Sequence, residues 1–265
     1  YGATADLCYL LDIAFQDHSI NYVFYNLDPS ALCADPVTTF ESTGCPMYLY
    51  DDNHLNDIEY LLNKDVLFEK IPYMIAQSLT GDYDEGNSYN WAQWKSFNED
   101  MILGLYIRKM NIEDMKPETC YQDKLDGNLA LLCAEIEAHP ETQFKISIPP
   151  YSMLWWDNIY RNGETESYLY NMEQAMEKLL TYENVELYYF LNDREIVTDL
   201  DNYMDLLHFS PEINQYICDS MIRNDHKVTE ANCHEIIEDS RSLAYQAVNE
   251  LIKPYEDRIK VDIYD

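Results

Sequence analysis

The sequence predicts an α/β domain: a parallel sheet flanked by helices. Three observations predict it. Helical and strand-like patterns alternate along most of the chain. The strand-like runs are short and apolar, as strands buried on both faces are. The chain has 265 residues, 47% of them hydrophobic, which suffices for one large core.

The elements follow in order. Residues 4–16 place Leu7, Leu10, Leu11, Ala14 and Phe15 at helical spacing. Ile20 to Leu27 reads as a strand closed by Asp28 and Pro29. Residues 30–53 look irregular, and 54–79 read as one or two helices. Residues 80–122 break the rhythm with Gly81, Gly86, Trp91, Trp94 and Phe97, and are expected to form an insertion or lid. A helix over 124–138, a strand from Gln143 to Ile148 and the stop Pro149-Pro150 restore the alternation. An amphipathic helix over 165–181 carries Tyr168, Leu169, Met172, Met176 and Leu179, and the strand Val185 to Leu191 follows. Helices are expected at 211–223 and 230–252.

In a parallel sheet the ligand site lies beyond the carboxyl ends of the strands. The segments Asn26 to Ser30, Pro149 to Trp156 and Asn192 to His208 would then share one rim.

Charge and composition exclude several classes. The net charge is −32, from 49 acidic and 17 basic residues. Phosphate binding depends on Lys and Arg, so nucleic acid is excluded as a partner, and bare anionic membrane surfaces are disfavoured. Seven Gly residues, in no phosphate-loop pattern, argue against a nucleotide cradle. Seven Cys form no Cys-x-x-Cys pair, so no structural zinc is expected. Cys133 sits in the apolar run Leu129, Leu131, Leu132 and Ile136 and reads as a core thiol. No apolar run approaches the roughly 18 residues of a membrane span, and no signal peptide is visible. The chain opens on Tyr1 rather than Met and enters a helix at once, which suggests a fragment or processed form.

The sharpest chemical signal is Asp205-Leu206-Leu207-His208, followed by Ser210 and Pro211 as N-cap and first residue of a helix. An Asp three residues before a His can bind one ring nitrogen and leave the other to act as a general base. Several residues could complete or line such a site. Ser152 follows a strand on the expected rim and reads either as a nucleophile or as a helix cap. Cys33 and Cys45 follow the first strand, but nothing marks either thiol as activated. Trp155, with Tyr151, Trp156 and Tyr160, suits either a sugar-ring contact or a buried helical stripe.

Metal readings are weak. Asp82 to Asn87 has Gln93 where a calcium loop needs a bidentate Glu. Asp199, Asp201 and Asp205 form no directed set, and His234-Glu235 lacks the second His of a zinc helix. No metal site is assigned.

Three stretches carry a resemblance: Ile148 to Asp157 (IPPYSMLWWD), Asp199 to Ser210 (DLDNYMDLLHFS) and Asn56 to Phe68 (NDIEYLLNKDVLF). In these and in its order of elements the chain resembles the SGNH (GDSL-type) esterase and acyltransferase superfamily. The nearest branch comprises bacterial surface proteins related to those acting in D-alanylation and O-acetylation of wall polymers. The similarity covers most of residues 1–223. It implies a three-layer, flavodoxin-like domain over 1–223 with the insertion at 80–122, and a C-terminal helical extension over 224–265.

The resemblance also implies the chemistry. Asp205 and His208 match two members of a Ser-His-Asp triad, which needs no cofactor. The family's nucleophile is a Ser in a Gly-Asp-Ser-like turn after the first strand. Nothing here matches it, and by family order it would precede Tyr1. Gly2 could hold the place of an oxyanion-hole Gly. Where the family has Gly-x-Asn-Asp, this chain has Tyr25, Asn26, Leu27 and Asp28, so Asn26 is the candidate oxyanion donor and the Gly is missing. The implied substrate is an acylated cell-surface glycan or wall polymer. The implied location is extracytoplasmic, with any membrane anchor in an N-terminal segment outside this chain. The missing nucleophile, the altered Asn26 block and the scarcity of Gly support an alternative, a non-catalytic glycan-binding or scaffold module of the same fold.

Overall fold

A computed structural model describes residues 3–39, 47–51, 53–81 and 91–262. The chain divides into two compact units, Tyr1–Val37 with Lys95–Asp265, and Thr38–Trp94. The stretch 80–122, read from sequence as an insertion, is therefore shared between them: 95–122 belongs to the first unit.

The first unit is mixed α/β. Strand β1 (Tyr22–Asn26), β2 (Ile107–Lys109), β3 (Gln143–Ile148), β4 (Val185–Tyr189) and β5 (Lys260–Asp262) form two parallel sheets. The larger has the order β1-β3-β4, and the smaller pairs β2 with β5. The register sets Val23 beside Phe144 and Tyr25 beside Ile146, and on the other side Ile146 beside Leu187 and Ile148 beside Tyr189. Side chains alternate across a strand, so these residues share one face, and all of them are buried. The longer helices of the unit are α1 (Thr4–Asp17), α2 (Glu99–Leu105), α3 (Gln122–Ala138), α4 (Met153–Arg161), α5 (Thr165–Leu179), α6 (Pro211–Arg223) and α7 (Cys233–Gln246), with single turns at Pro29–Leu32 and Arg194–Val197.

The sequence explains most of these elements. In α1, Leu7, Leu11 and Phe15 recur every four residues and pack on the core, and Phe15 stacks on His139 with ring centroids 3.5 Å apart. Asn98 begins α2, its side chain accepting from the Met101 N–H at 2.9 Å. Helix α5 buries Leu169, Met172, Ala175, Met176 and Leu179 on one face. Tyr189 from β4 binds elements of two helices: its hydroxyl accepts from Ser240 at 2.8 Å and lies 3.7 Å from the Met172 sulfur. The α-helix predicted through residue 252 ends at Gln246 and continues as a π-helical turn, Ala247–Leu251.

The opposite face of the larger sheet is covered unevenly. Near β4 it packs on α6, where the Tyr188 hydroxyl donates to the Met221 carbonyl at 3.3 Å. At β1, Tyr22 and Phe24 are 61% and 70% exposed. The outer edge of β4 is paired by residues 226–228, which run antiparallel: the Tyr189 N–H donates to the His226 carbonyl and the Val228 N–H to the Leu187 carbonyl. Among the described residues no strand pairs the outer edge of β1.

The second unit contains short helical segments at Ile58–Leu61, Val66–Lys70 and Ile71–Thr80. Gly81 ends the last of them at φ 77°, the left-handed conformation that suits Gly at a helix stop. Gly2, Cys45 and the stretch Asp82 to Asn87 lie outside the described residues.

Candidate functional site

The Asp205–His208 loop lies between a 3-10 turn at Leu200–Asn202 and α6. Its base is closed by an antiparallel bridge between Tyr203 and Phe209. The Met204 N–H donates to the His208 carbonyl at 2.9 Å, and the Ser210 N–H to the Asn202 carbonyl at 2.8 Å. Ser210 stands at the N-cap position of α6 and Pro211 at its first residue.

The loop is also anchored from the carboxyl end of β3. The buried Tyr203 hydroxyl donates to the Pro150 carbonyl at 2.7 Å. The Ser152 N–H and Ser152 hydroxyl both donate to the Leu206 carbonyl at 3.1 Å. Ser152 occupies the N-cap position of α4 but its side chain makes no cap bond, since the hydroxyl is turned to Leu206. Its surface is fully buried.

Within the loop, Asp205 organises His208. One carboxylate oxygen accepts from the Leu207 and His208 N–H groups, each at 2.9 Å. The His208 ring Nδ1 lies 2.8 Å from the other oxygen. Burial pushes the Asp205 carboxyl up, but the two backbone N–H groups and the His208 ring outweigh it and hold the carboxyl below its ordinary value. An ionised carboxylate only accepts, so Nδ1 carries the proton and Nε2 is the basic nitrogen.

The loop forms one wall of a cleft of about 570 Å³, a size that suits small-molecule ligands. Ser30, Trp155 and the run Asp205 to His208 all line it, one group from each of the three strand ends. Parallel strands send these segments to the same rim, as the alternation of elements implied. The remaining wall comes from Ile102, Leu105, Tyr106 and Ile107 of α2 and β2, and from Asn158, Ile159, Asn162, Glu164 and Tyr168.

The other sequence candidates fall as follows. Trp155 is 3% exposed and packs edge-on against Trp156 and Tyr168, with centroids 4.7 and 5.6 Å away. It is therefore mostly core, with a small part at the cleft floor. Asn26 ends β1 opposite Ser147, exposed, and is not among the side chains that line the cleft. Cys33 is buried beside Asn171, and burial pushes its thiol up to about 12, the direction opposite to activation. Asp199 accepts from the Asp201 N–H, and Asp201 from the Glu99 N–H.

The sequence alone does not mark Glu164 or Ser30. Glu164 accepts from the Lys116 ammonium at 2.6 Å and from the Tyr121 hydroxyl. These partners lie in the irregular stretch before α3 and at its start, so no periodic pattern could reveal them. Ser30 donates its N–H to the Asp28 carboxylate at 2.8 Å. The Asp28-Pro29 signal at the end of β1 is the cue that could have pointed to it.

Chemically, the arrangement provides an oriented imidazole base, hydroxyl and carboxamide groups, and an apolar wall in one cleft. Set against known protein families, curated proteins and solved structures, the chain matches none of them.

Proposed function

We propose that this chain is the larger part of an SGNH-type esterase or O-acyltransferase acting on a cell-surface polysaccharide or wall polymer. His208 is the general base, Asp205 orients it, and the nucleophilic Ser comes from outside these residues. The observation that carries the reading is the Asp205–His208 pair, locked by two backbone N–H groups at the rim of parallel strands and opening into a cleft. The open edge of β1 supports it. Tyr22 and Phe24 stand exposed there, and the edge, which no strand pairs among the described residues, would accept a further strand. In a three-layer, flavodoxin-like arrangement that strand and its following helix would cover the exposed face and bring a Ser turn to the same rim.

In the reaction, His208 Nε2 takes the proton of the Ser hydroxyl as the oxygen attacks the acyl carbonyl. It then returns the proton to the leaving sugar oxygen, and water or a second hydroxyl accepts the acyl group in the reverse sequence. The full-length protein should release acetate from O-acetylated glycan, or transfer it. His208→Ala should lower the rate by orders of magnitude, and activity that survives this change would refute the role.

The second reading is a non-catalytic glycan-binding or scaffold module. One observation favours it: Ser152, the serine on the rim within the family-like stretch Ile148 to Asp157, is buried with its hydroxyl committed to Leu206. Labelling of the full-length protein by a fluorophosphonate probe separates the two, since only an activated Ser reacts.

A further inference from the structure

The cleft beside His208 has two unlike halves. One is apolar, with Leu105 and Ile107 at the lip, 57% and 59% exposed, beside buried Ile102. The polar part of the lining comprises Asn158, Asn162, Glu164, Ser30 and the Asp205–His208 loop. Among the described residues that line it there is no Lys or Arg. Lys116, bonded to the lining Glu164, and Arg108, next in sequence to the lining Ile107, are already engaged. Lys116 holds Glu164, and Arg108 forms a bidentate pair with Asp157 and a third bond to Glu256.

Recognition of a carboxylate or phosphate uses Arg, Lys or convergent N–H donors. An anion entering this cleft would find no Lys or Arg among its described lining residues; their acidic side chains are the carboxylates of Asp205, bonded to the His208 ring, and Glu164, bonded to Lys116, in a chain whose net charge is −32. A carboxylate is an acceptor for sugar hydroxyls and for ammonium groups. Resting on the glycan-ester reading, the geometry points to charge selection: the cleft takes uncharged or amine-bearing sugars, rejects uronate- or phosphate-bearing ones, and Glu164 sets the preference. This narrows the substrate class to neutral or amino-sugar polymers.

The test measures binding to the chain at low salt, by calorimetry or ligand-observed NMR, with three probes. They are N,N′,N″-triacetylchitotriose (neutral), chitotriose (cationic) and trigalacturonate (anionic). Trigalacturonate should bind at least about tenfold more weakly than the other two, and the gap should narrow as salt screens the field. Glu164→Gln leaves Lys116 without its carboxylate, so it should raise trigalacturonate affinity and lower that of chitotriose. Asn158→Asp, at a partly exposed position, should widen the gap and serves if the Glu164 variant does not fold. Trigalacturonate binding as tightly as the neutral trimer overturns charge selection and leaves the glycan reading standing. Failure of all three sugars to bind overturns the glycan reading and this inference with it.

Discussion

Asp205 holds His208 by both backbone and ring: one oxygen accepts the His208 N–H at 2.9 Å, and the other lies 2.8 Å from the ring Nδ1. The same carboxylate also accepts the Leu207 N–H. It therefore shapes the loop and selects the tautomer at once. Asp205→Asn should separate the two roles. Its amide oxygen can still accept the backbone N–H groups, so amide exchange at Leu207 and His208 should stay slow. Its NH₂ would face Nδ1 and favour the wrong tautomer. Esterase activity of the full-length protein should fall by about 10³–10⁴-fold, whereas Asp205→Ala should lose both the protection and the activity.

The polar face of the larger sheet carries a pH-dependent contribution. Glu186 on β4 accepts from Lys145 on β3 and from Lys227 at 3.0 Å. The Lys145 hydrogen bond is the largest influence; with Lys227 it overcomes burial and brings the Glu186 carboxyl down to about 2. A carboxyl depressed in the folded state stabilises the fold above its unfolded value, here 4.5, and that stability fades as pH falls toward 2. Urea unfolding of the wild type should lose roughly 1–3 kcal/mol more than Glu186→Gln across this window. Parallel pH profiles for the two proteins would remove Glu186 from the account.

Asp157 is a second control point, fully buried on α4. It accepts from Arg108 on β2 at 2.7 and 2.9 Å and from the Tyr106 hydroxyl at 2.7 Å, with Arg161 3.3 Å away. Removing the buried partner of an ion pair leaves the other charge under-compensated, and Arg108 would keep its bond to the half-exposed Glu256. Asp157→Asn should therefore cost about 3–5 kcal/mol in denaturant unfolding. Tyr106 and Ile107 line the cleft, so ligand affinity should fall as well.

How much of this was legible in the sequence follows from which contacts are local. The strand Gln143–Ile148 and the helices at 165–179 and 211–223 follow from periodicity, because each buries a continuous face. The Asp205–His208 pair is also readable, since both partners lie in one loop. The wall made by Ile102 to Ile107 is not. Strand β2 has three residues and pairs with β5, whose Lys260 lies opposite Ile107 and some 150 positions later. Arg108 becomes structural through Asp157, 49 residues away, and Glu256, 148 residues away. Spacing and pattern carry no signal for such pairs, and the apolar run Met101 to Ile107 is too short to tell a helix from a strand.

The turn between α4 and α5 depends on a single Gly. Gly163 has φ 67°, and a Cβ there would lie 2.2 Å from the Asp114 carbonyl oxygen. The segment it abuts is tied on by the Glu113 N–H to the Arg161 carbonyl at 2.9 Å and by the Lys116 N–H to the Gly163 carbonyl at 2.7 Å. Gly163→Ala should destabilise the protein by about 2 kcal/mol or more, combining left-handed strain with the clash. Faster amide exchange at Glu113 and Lys116 should accompany the loss, and unchanged exchange there would place the strain elsewhere.

Ser152 offers the clearest separation between a structural and a catalytic serine. Its hydroxyl and N–H both donate to the Leu206 carbonyl at 3.1 Å, inside the loop that carries His208. A nucleophilic serine needs its hydroxyl in reach of the base and open to the substrate, and this one is fully buried. Ser152→Ala keeps the backbone bond and deletes one buried hydrogen bond, which costs about 1 kcal/mol. Loosening of Leu206 should pass to the Asp205–His208 pair, so activity of the full-length protein should fall by no more than about tenfold, the equivalent of 1.4 kcal/mol in the barrier. A loss beyond about 10³-fold with stability intact would instead identify Ser152 as the nucleophile, and the serine would no longer have to come from outside these residues.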